Sequence, residues 1–300
     1  LTNERSDPLD TKSIILGATK QMITRDYKIK YTDDSVISVY LSISPVRHGY
    51  GKKGEKGFVL IIRDITREKS LEEERDEFIS VISHELRTPV AITEGAVGNA
   101  QFIAEKTGDI EKIKEALDTA HKQTIYLENM INDLSTLSRA ERGVLEKNIE
   151  DINAHEFSEM LRDMYAHDAE AKGLELHLDI DPSLEILHSS RLYVQEIMQN
   201  YITNAIKYTE NGSVTISAQT QGDGVEFSVT DTGIGISKGD QTRVFDKFFR
   251  SEDYKTREQN GTGLGLHVTR KLAELAQAKI SLESELGEGS TFRIFFPNLK

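Results

Sequence analysis

The sequence predicts a multidomain chain: a partial α/β segment, an antiparallel helical hairpin, and a layered α/β domain with helices on one face of a sheet. Three observations carry this. Apolar alternation of period two marks a strand at residues 36–44, and an apolar run marks a second at 57–62. Helical periodicity then runs from Glu68 to Arg142, interrupted only by a polar turn at Thr107, Gly108 and Asp109. From residue 148 onward, strand and helix patterns alternate to the end of the chain.

The first segment, residues 1–66, contains the two strands and a Gly- and Lys-rich stretch between Arg47 and Gly57, which reads as a hairpin loop. The charged run from Glu68 to Glu77 is a solvated helix face with no chemistry assigned to it. Asp109 is the expected N-cap of the next helix, and Gly143 its stop. Along that helix Ile113, Leu117, Ala120, Thr124, Leu127, Ile131 and Leu134 step by alternating fours and threes, a heptad seam. Two helices bury little surface as a pair, so the hairpin is expected to dimerise into a four-helix bundle.

In the last segment, helices are expected at 155–172, 190–208 and 264–277. Strands are expected at 174–180, 214–219, 225–230, 279–285 and 291–296. The expected domains are therefore 1–66, 67–147 and 148–300.

Composition sets outer bounds. The 300 residues carry a net charge of −13, which argues against nonspecific nucleic-acid binding, and no cysteine, which excludes disulfides and thiol chemistry. No apolar run reaches about 18 residues, so no transmembrane segment is expected, and no signal peptide opens the chain. The start at Leu1 reads as a fragment of a longer cytoplasmic portion, with room for a membrane anchor upstream.

The most informative string is FISVISHELRTP at 78–89. On a helix His84 and Thr88 share a face, Glu85 lies about 100° round, and Phe78, Ile82 and Leu86 form a face suited to burial. Pro89 removes the donor to the Glu85 carbonyl, so a bend is expected there. A zinc-protease reading fails, because Thr88 stands where a second histidine is needed.

Downstream, Asn200, Asn204, Lys207 and Tyr208 fall on one helical stripe, opposite Ile197, Met198, Ile202, Ala205 and Ile206. Asparagines are poor helix formers, so a merely wet face would favour Glu or Lys. Amide oxygens suit Mg²⁺ beside phosphates, and lysine suits a phosphate. Two glycine strings follow: Asp231, Gly233 and Gly235 after a strand, and Gly261, Thr262, Gly263, Leu264 and Gly265 opening a helix. Backbone N–H groups at a helix start bind anions. Neither string sits in the βαβ unit that a Rossmann fold requires. Residues 237–260 between them are too long for a bare connection and read as a lid, with residues 251–260 polar apart from Tyr254.

The string at 78–89 resembles the phosphoacceptor box of sensor histidine kinases. The later stripe and strings resemble the N, G1, F and G2 boxes of the GHKL ATPase superfamily. Arg63 to Arg67 resembles the close of PAS sensor domains.

The resemblance implies that His84 takes the γ-phosphoryl group of ATP and passes it to an aspartate of a response regulator, with a homodimer as the working form. Glu85 would serve as base, and Thr88 would position a water in the reverse, phosphatase direction. Asn204 assisted by Asn200 would ligate Mg²⁺, Lys207 and Arg250 would meet phosphate, Tyr208 would lie against adenine, and Asp231 would read its amino group. Phe245 and Phe248 serve equally as anchors of the lid. The alternatives are a GHKL ATPase without kinase activity, and a scaffold or phosphatase-dominant sensor. Against the gyrase kind, position 200 is Asn, where that kind carries a glutamate base.

Overall fold

The computed structural model describes residue 2 and residues 10–48, 55–143, 148–184, 186–251 and 261–298. The polar tract expected to belong to the lid, beyond Ser251, lies outside them. Two compact units are present, Leu1–Arg87 and Thr88–Lys300.

The first unit contains α1 (Thr11–Gly17) and an antiparallel sheet of β1 (Met22–Lys30), β2 (Val36–His48) and β3 (Glu55–Asp64), in that order. Val39, Leu41 and Ile43 on the inner face of β2 are buried, as alternation requires. Pairing of β2 with β3 extends to His48 and Glu55, so both strands run further than the expected hairpin loop allowed. This three-stranded sheet fits a partial PAS-like segment.

The junction into α2 (Thr66–Lys106) is built from three consecutive residues. Asp64 Oδ1 accepts from the Thr66 N–H at 2.8 Å and from its hydroxyl at 2.6 Å, and these bonds hold the Asp64 carboxyl below its usual range. Thr66 Oγ1 accepts from Ser38 N at 2.9 Å, and Ile65 N–H donates to Ser38 O at 2.9 Å while its side chain is fully buried. Further along this helix Phe78, Ile82 and Leu86 are half-buried and His84 is exposed.

The second unit begins within α2, which continues as a helix through Pro89. Asp109 caps α3 (Ile110–Glu141) by accepting from Lys112 N at 3.3 Å. Within one chain the heptad seam is only partly buried. Leu117 and Ile131 are 50% and 58% exposed, whereas Ala120 of the seam is buried together with Ala116, Met130, Thr136, Leu137 and Ala140.

The remainder is an α/β sandwich. In chain order it comprises β4 (Ile149–Asn153), α4 (Ala154–Ala171), β5 (Glu175–Ile180), β6 (Ile186–Ser190), α5 (Arg191–Tyr208), β7 (Ser213–Gln221), β8 (Gly224–Asp231), α6 (Lys238–Gln241), α7 (Gly265–Leu275), β9 (Lys279–Glu285) and β10 (Gly289–Pro297). The main sheet has the order β5-β7-β8-β10-β9, with only β5 and β7 parallel, and β4 pairs with β6 in a small second sheet. The α1, β1, β4, β6 and α6 elements were not expected from sequence.

Helices α4, α5 and α7 pack on one face of the main sheet. That face carries Val214, Ile216, Phe227, Val229, Phe292, Ile294 and Phe296, all buried. The opposite face is polar, with Gln219 bonded to Glu226 at 2.8 Å and Arg293 paired with Glu283 at 2.9 Å. At the centre Phe227 meets Phe157 and Phe296 edge-on, at 5.9 and 6.1 Å between ring centroids. This apolar layer is what turns the polar stripe of α5 outward.

Candidate nucleotide site

A cleft of about 1620 Å³ opens in the second unit between α5, the glycine loops, the start of α7 and α3. Asn200, Asn204, Lys207, Tyr208, Asp231, Gly233, Gly235, Arg250, Gly261, Thr262, Gly263 and Gly265 all line it. Leu264 does not. Its side chain is fully buried, and its N–H donates to Thr262 Oγ1 at 3.1 Å.

Asp231 ends β8 at the floor of the cleft, 7% exposed. Burial pushes its carboxyl above the usual range, while N–H donors from Gly233 and Ser290 pull the other way. The Gly233 N–H bond, at 2.8 Å, is made to Oδ1. The loop beyond is pinned on both sides: Ile234 N–H donates to Tyr208 O at 3.2 Å, and Ile236 N–H to Ser284 Oγ at 2.7 Å. At Gly235 the backbone has φ +67° and a Cβ would strike the Glu285 carbonyl, so only glycine fits.

On α5, Asn204 Nδ2 donates to Asn200 Oδ1 at 2.9 Å, which leaves the Asn204 oxygen without that constraint. Lys207 Nζ sits 4.6 Å from the Tyr208 ring centroid. Burial, then the charges of Arg250 and Lys172, push the Lys207 ammonium down to about 8. Lys172 is held elsewhere, donating to the Ile206 and Lys207 carbonyls at 2.7 and 2.6 Å, where it caps the C-terminal end of α5.

Gly263 has φ +67°, and a Cβ there would collide with the Phe248 backbone, so the lid segment and the second glycine loop are in close contact. Phe245 meets Phe292 edge-on at 6.4 Å and its carbonyl accepts from His267 Nδ1 at 3.0 Å, which anchors the segment to the core. Among the described residues no group of three His, Asp or Glu is placed to hold a metal. Hard oxygens from the α5 asparagines together with phosphate oxygens are the donor set that Mg²⁺ accepts, so the stripe fits that ion.

His84 belongs to the first unit. Its side chain is 75% exposed, with Nδ1 3.4 Å from Glu85 Oε1. Thr88, one turn further along α2, is also exposed.

Sequence reasoning missed the α3 wall of the cleft, formed by Asn129, Asn132, Asp133, Thr136 and Arg139. The signal was present, since the first four fall at i, i+3, i+4 and i+7 with no lysine or glutamate among them. It also missed Glu196 and the cap supplied by Lys172.

A mixed, mostly antiparallel sheet covered by helices on one face, with this cleft, defines an ATPase domain of the GHKL class, preceded by a long helical hairpin. Residues 189–300 match the family of histidine kinase-, DNA gyrase B- and HSP90-like ATPases, and residues 74–143 match the His Kinase A phospho-acceptor domain. The chain thus carries the phospho-acceptor and ATPase domains of histidine kinases, an arrangement consistent with a sensor histidine kinase.

It is 30% identical over 284 residues to drug sensory protein A of Synechocystis sp., covering 91% of this chain and 42% of that one. Against the autoinducer 2 sensor kinase/phosphatase LuxQ of Vibrio vulnificus it is 32% identical over 231 residues, covering 74% and 26%. The chain thus spans less than half the length of these two curated relatives. Among solved structures, full-length ShkA in complex with AMPPNP matches at a TM-score of 0.55 and 25% identity, over 74% of this chain and 45% of that one. No described helix is long and apolar enough to cross a membrane.

Proposed function

We propose that the chain binds ATP in the α5 cleft, phosphorylates His84, and passes the phosphoryl group to an aspartate of a response regulator. The observation that carries this is the convergence of Asp231, the α5 stripe and both glycine loops on one cleft, in a chain whose exposed histidine lies beside a carboxylate.

Asp231 accepts a hydrogen bond from the adenine amino group, and Tyr208 lies against the base. Lys207, Arg250 and N–H groups at the start of α7 hold the phosphates. Asn204 with Asn200 would hold Mg²⁺, which would supply positive charge against the transferring group. At His84 the neutral imidazole forms a P–N bond in line as the P–O bond to ADP breaks, and Glu85 receives the proton of the second ring nitrogen. The regulator aspartate then attacks phosphorus and the P–N bond breaks. Thr88 positions a water for the phosphatase direction.

The working form is a homodimer, in which a second copy covers apolar residues such as Ile79, Val97, Phe102, Leu117 and Ile131 that one chain leaves exposed. The domains are a PAS-like segment at 1–66, the dimerisation and phosphotransfer hairpin at 67–147, and the catalytic domain at 148–300. ATP as donor places the reaction in the cytoplasm.

The test is incorporation from γ-labelled ATP into the purified chain. Alkali-stable, acid-labile label supports phosphohistidine, and ATP binding without label points to a scaffold or phosphatase. Lys207 gives a second expectation. It is charged below its pKa and loses the charge as pH rises through about 8. Affinity for AMPPNP, measured by calorimetry, should therefore be sustained below that pH and fall above it, while affinity for adenosine should not follow.

A further inference from the structure

The ends of α4 and α5 are tied together by one side chain. Helix α4 closes in a Schellman turn. The Gly173 N–H donates to Glu170 O and the Leu174 N–H to Ala169 O, both at 2.9 Å, with Gly173 at φ +74° and Leu174 buried. Lys172 is the C-cap of that turn, so the base of its side chain is fixed. Its ammonium reaches across to the end of α5, where it donates to the Ile206 and Lys207 carbonyls at 2.7 and 2.6 Å.

Helix α5 has no glycine cap. Thr209 follows it in an extended conformation, so its last carbonyls must be met in another way. Ala205 O accepts from the Thr209 N–H and hydroxyl at 3.1 and 2.7 Å, and Tyr208 O from the Ile234 N–H at 3.2 Å. Lys172 takes the two between them. An ammonium suits that place, because it offers several donors, no acceptor, and the charge that a helix C-terminus favours. The same turn carries Lys207 and Tyr208 into the cleft, and through the Ile234 bond it steadies the first glycine loop. Lys172 itself does not line the cleft.

We propose that Lys172 is a positioning residue for the nucleotide: from outside the cleft its ammonium locks the last turn of α5, and so fixes Lys207 for the phosphates and Tyr208 for the base. The proposal rests on the reading of the cleft as an ATP site. Stability alone is a poor explanation of a cation here. Burial first, then the charges of Arg250 and Lys172, disfavour the Lys207 ammonium, and burial disfavours that of Lys172, with Glu210 opposing. Cations gathered at one helix end against their mutual repulsion make a seat for a polyanion, provided the turn that presents them does not fray.

The test compares the full chain as wild type, as Lys172→Met, which keeps the aliphatic stem without the ammonium, and as Lys172→Cys. The natural sequence has no cysteine, so bromoethylamine rebuilds an ammonium at that position of Lys172→Cys alone, and iodoacetamide adds a neutral amide there. Each protein, its modification confirmed by mass, is titrated calorimetrically with Mg²⁺–AMPPNP and mapped by amide hydrogen exchange. Lys172→Met should bind AMPPNP about tenfold more weakly. Its faster exchange should be confined to residues 205–209 and the loop at 234. The aminoethylated protein should recover to within about twofold of wild type, and the iodoacetamide product should not. Unchanged AMPPNP affinity in Lys172→Met overturns the proposal, as does weaker binding with exchange unaltered at 205–209. Faster exchange throughout the chain, or no recovery in an aminoethylated protein that melts like wild type, also overturns it. If wild type itself binds no AMPPNP, the ATP reading of the cleft fails instead, and the exchange pattern still reports whether Lys172 holds the turn.

Discussion

His84→Gln should take up no label from γ-labelled ATP above background, while binding AMPPNP as wild type does and melting within about 1 °C of it. The two halves of this expectation have separate physical grounds. The imidazole is three-quarters exposed, and Glu85 is a polar neighbour at 3.4 Å. Removing it therefore costs no packing and, as for most surface substitutions, within about 0.5 kcal/mol of stability. Loss of the nucleophile leaves no atom on which a P–N bond can form, so the effect on labelling is complete rather than graded. Glutamine preserves a polar side chain without a basic nitrogen. Label persisting in the variant, with the same acid lability, would move the acceptor to another residue.

Asp231→Asn should weaken adenosine binding by about 10²-fold, and should narrow or reverse the preference for adenosine over inosine. With the Gly233 N–H on Oδ1, an adenine amino group is expected to be accepted at the second oxygen. In the variant an amide NH₂ takes that position and confronts another donor. Inosine carries a carbonyl acceptor at the same ring position and can meet the amide. The loop should keep its shape, because the Asn carbonyl can still accept from Gly233. Calorimetry with both nucleosides reads the change directly. An unaltered adenosine affinity would remove Asp231 from base recognition and leave it a loop-pinning residue.

What could be read from sequence was local chemistry. The α5 stripe needs only the 3.6-residue period, and the glycine strings mark tight backbone, with Gly235 and Gly263 at positive φ against Glu285 and Phe248. Pairings between distant short segments were hidden. Strands β4 and β6 have five residues each and find one another across the intervening α4 and β5, and the pattern of β4 offers a single buried residue, Ile152. Strand β1 was masked differently, because its register shifts between Thr24 and Tyr27 and breaks the period-two alternation.

The α3 helix is the instructive case. Its heptad seam drew attention to Leu117 and Ile131, which one chain leaves exposed. The same helix carries a second, polar face turned to the cleft, and a seam analysis treats such residues as ordinary solvent contacts. The second glycine string was legible as a unit and not residue by residue. A consensus cannot separate Thr262, which lines the cleft, from Leu264, which is buried.

The junction of β3 and α2 has a mechanical meaning. Ile65 and Thr66 are each bonded to Ser38, Thr66 is gripped by Asp64, and no residue of slack separates strand from helix. Any torque on the sheet is delivered to the first turn of α2, as a crank turns its shaft. From Thr66 to His84 the shaft is about 27 Å of continuous helix at 1.5 Å per residue. Inserting one residue just beyond this junction would rotate His84 by about 100° relative to the sheet while leaving the strand pairing intact, so the phase of the coupling is set by the count of residues across it.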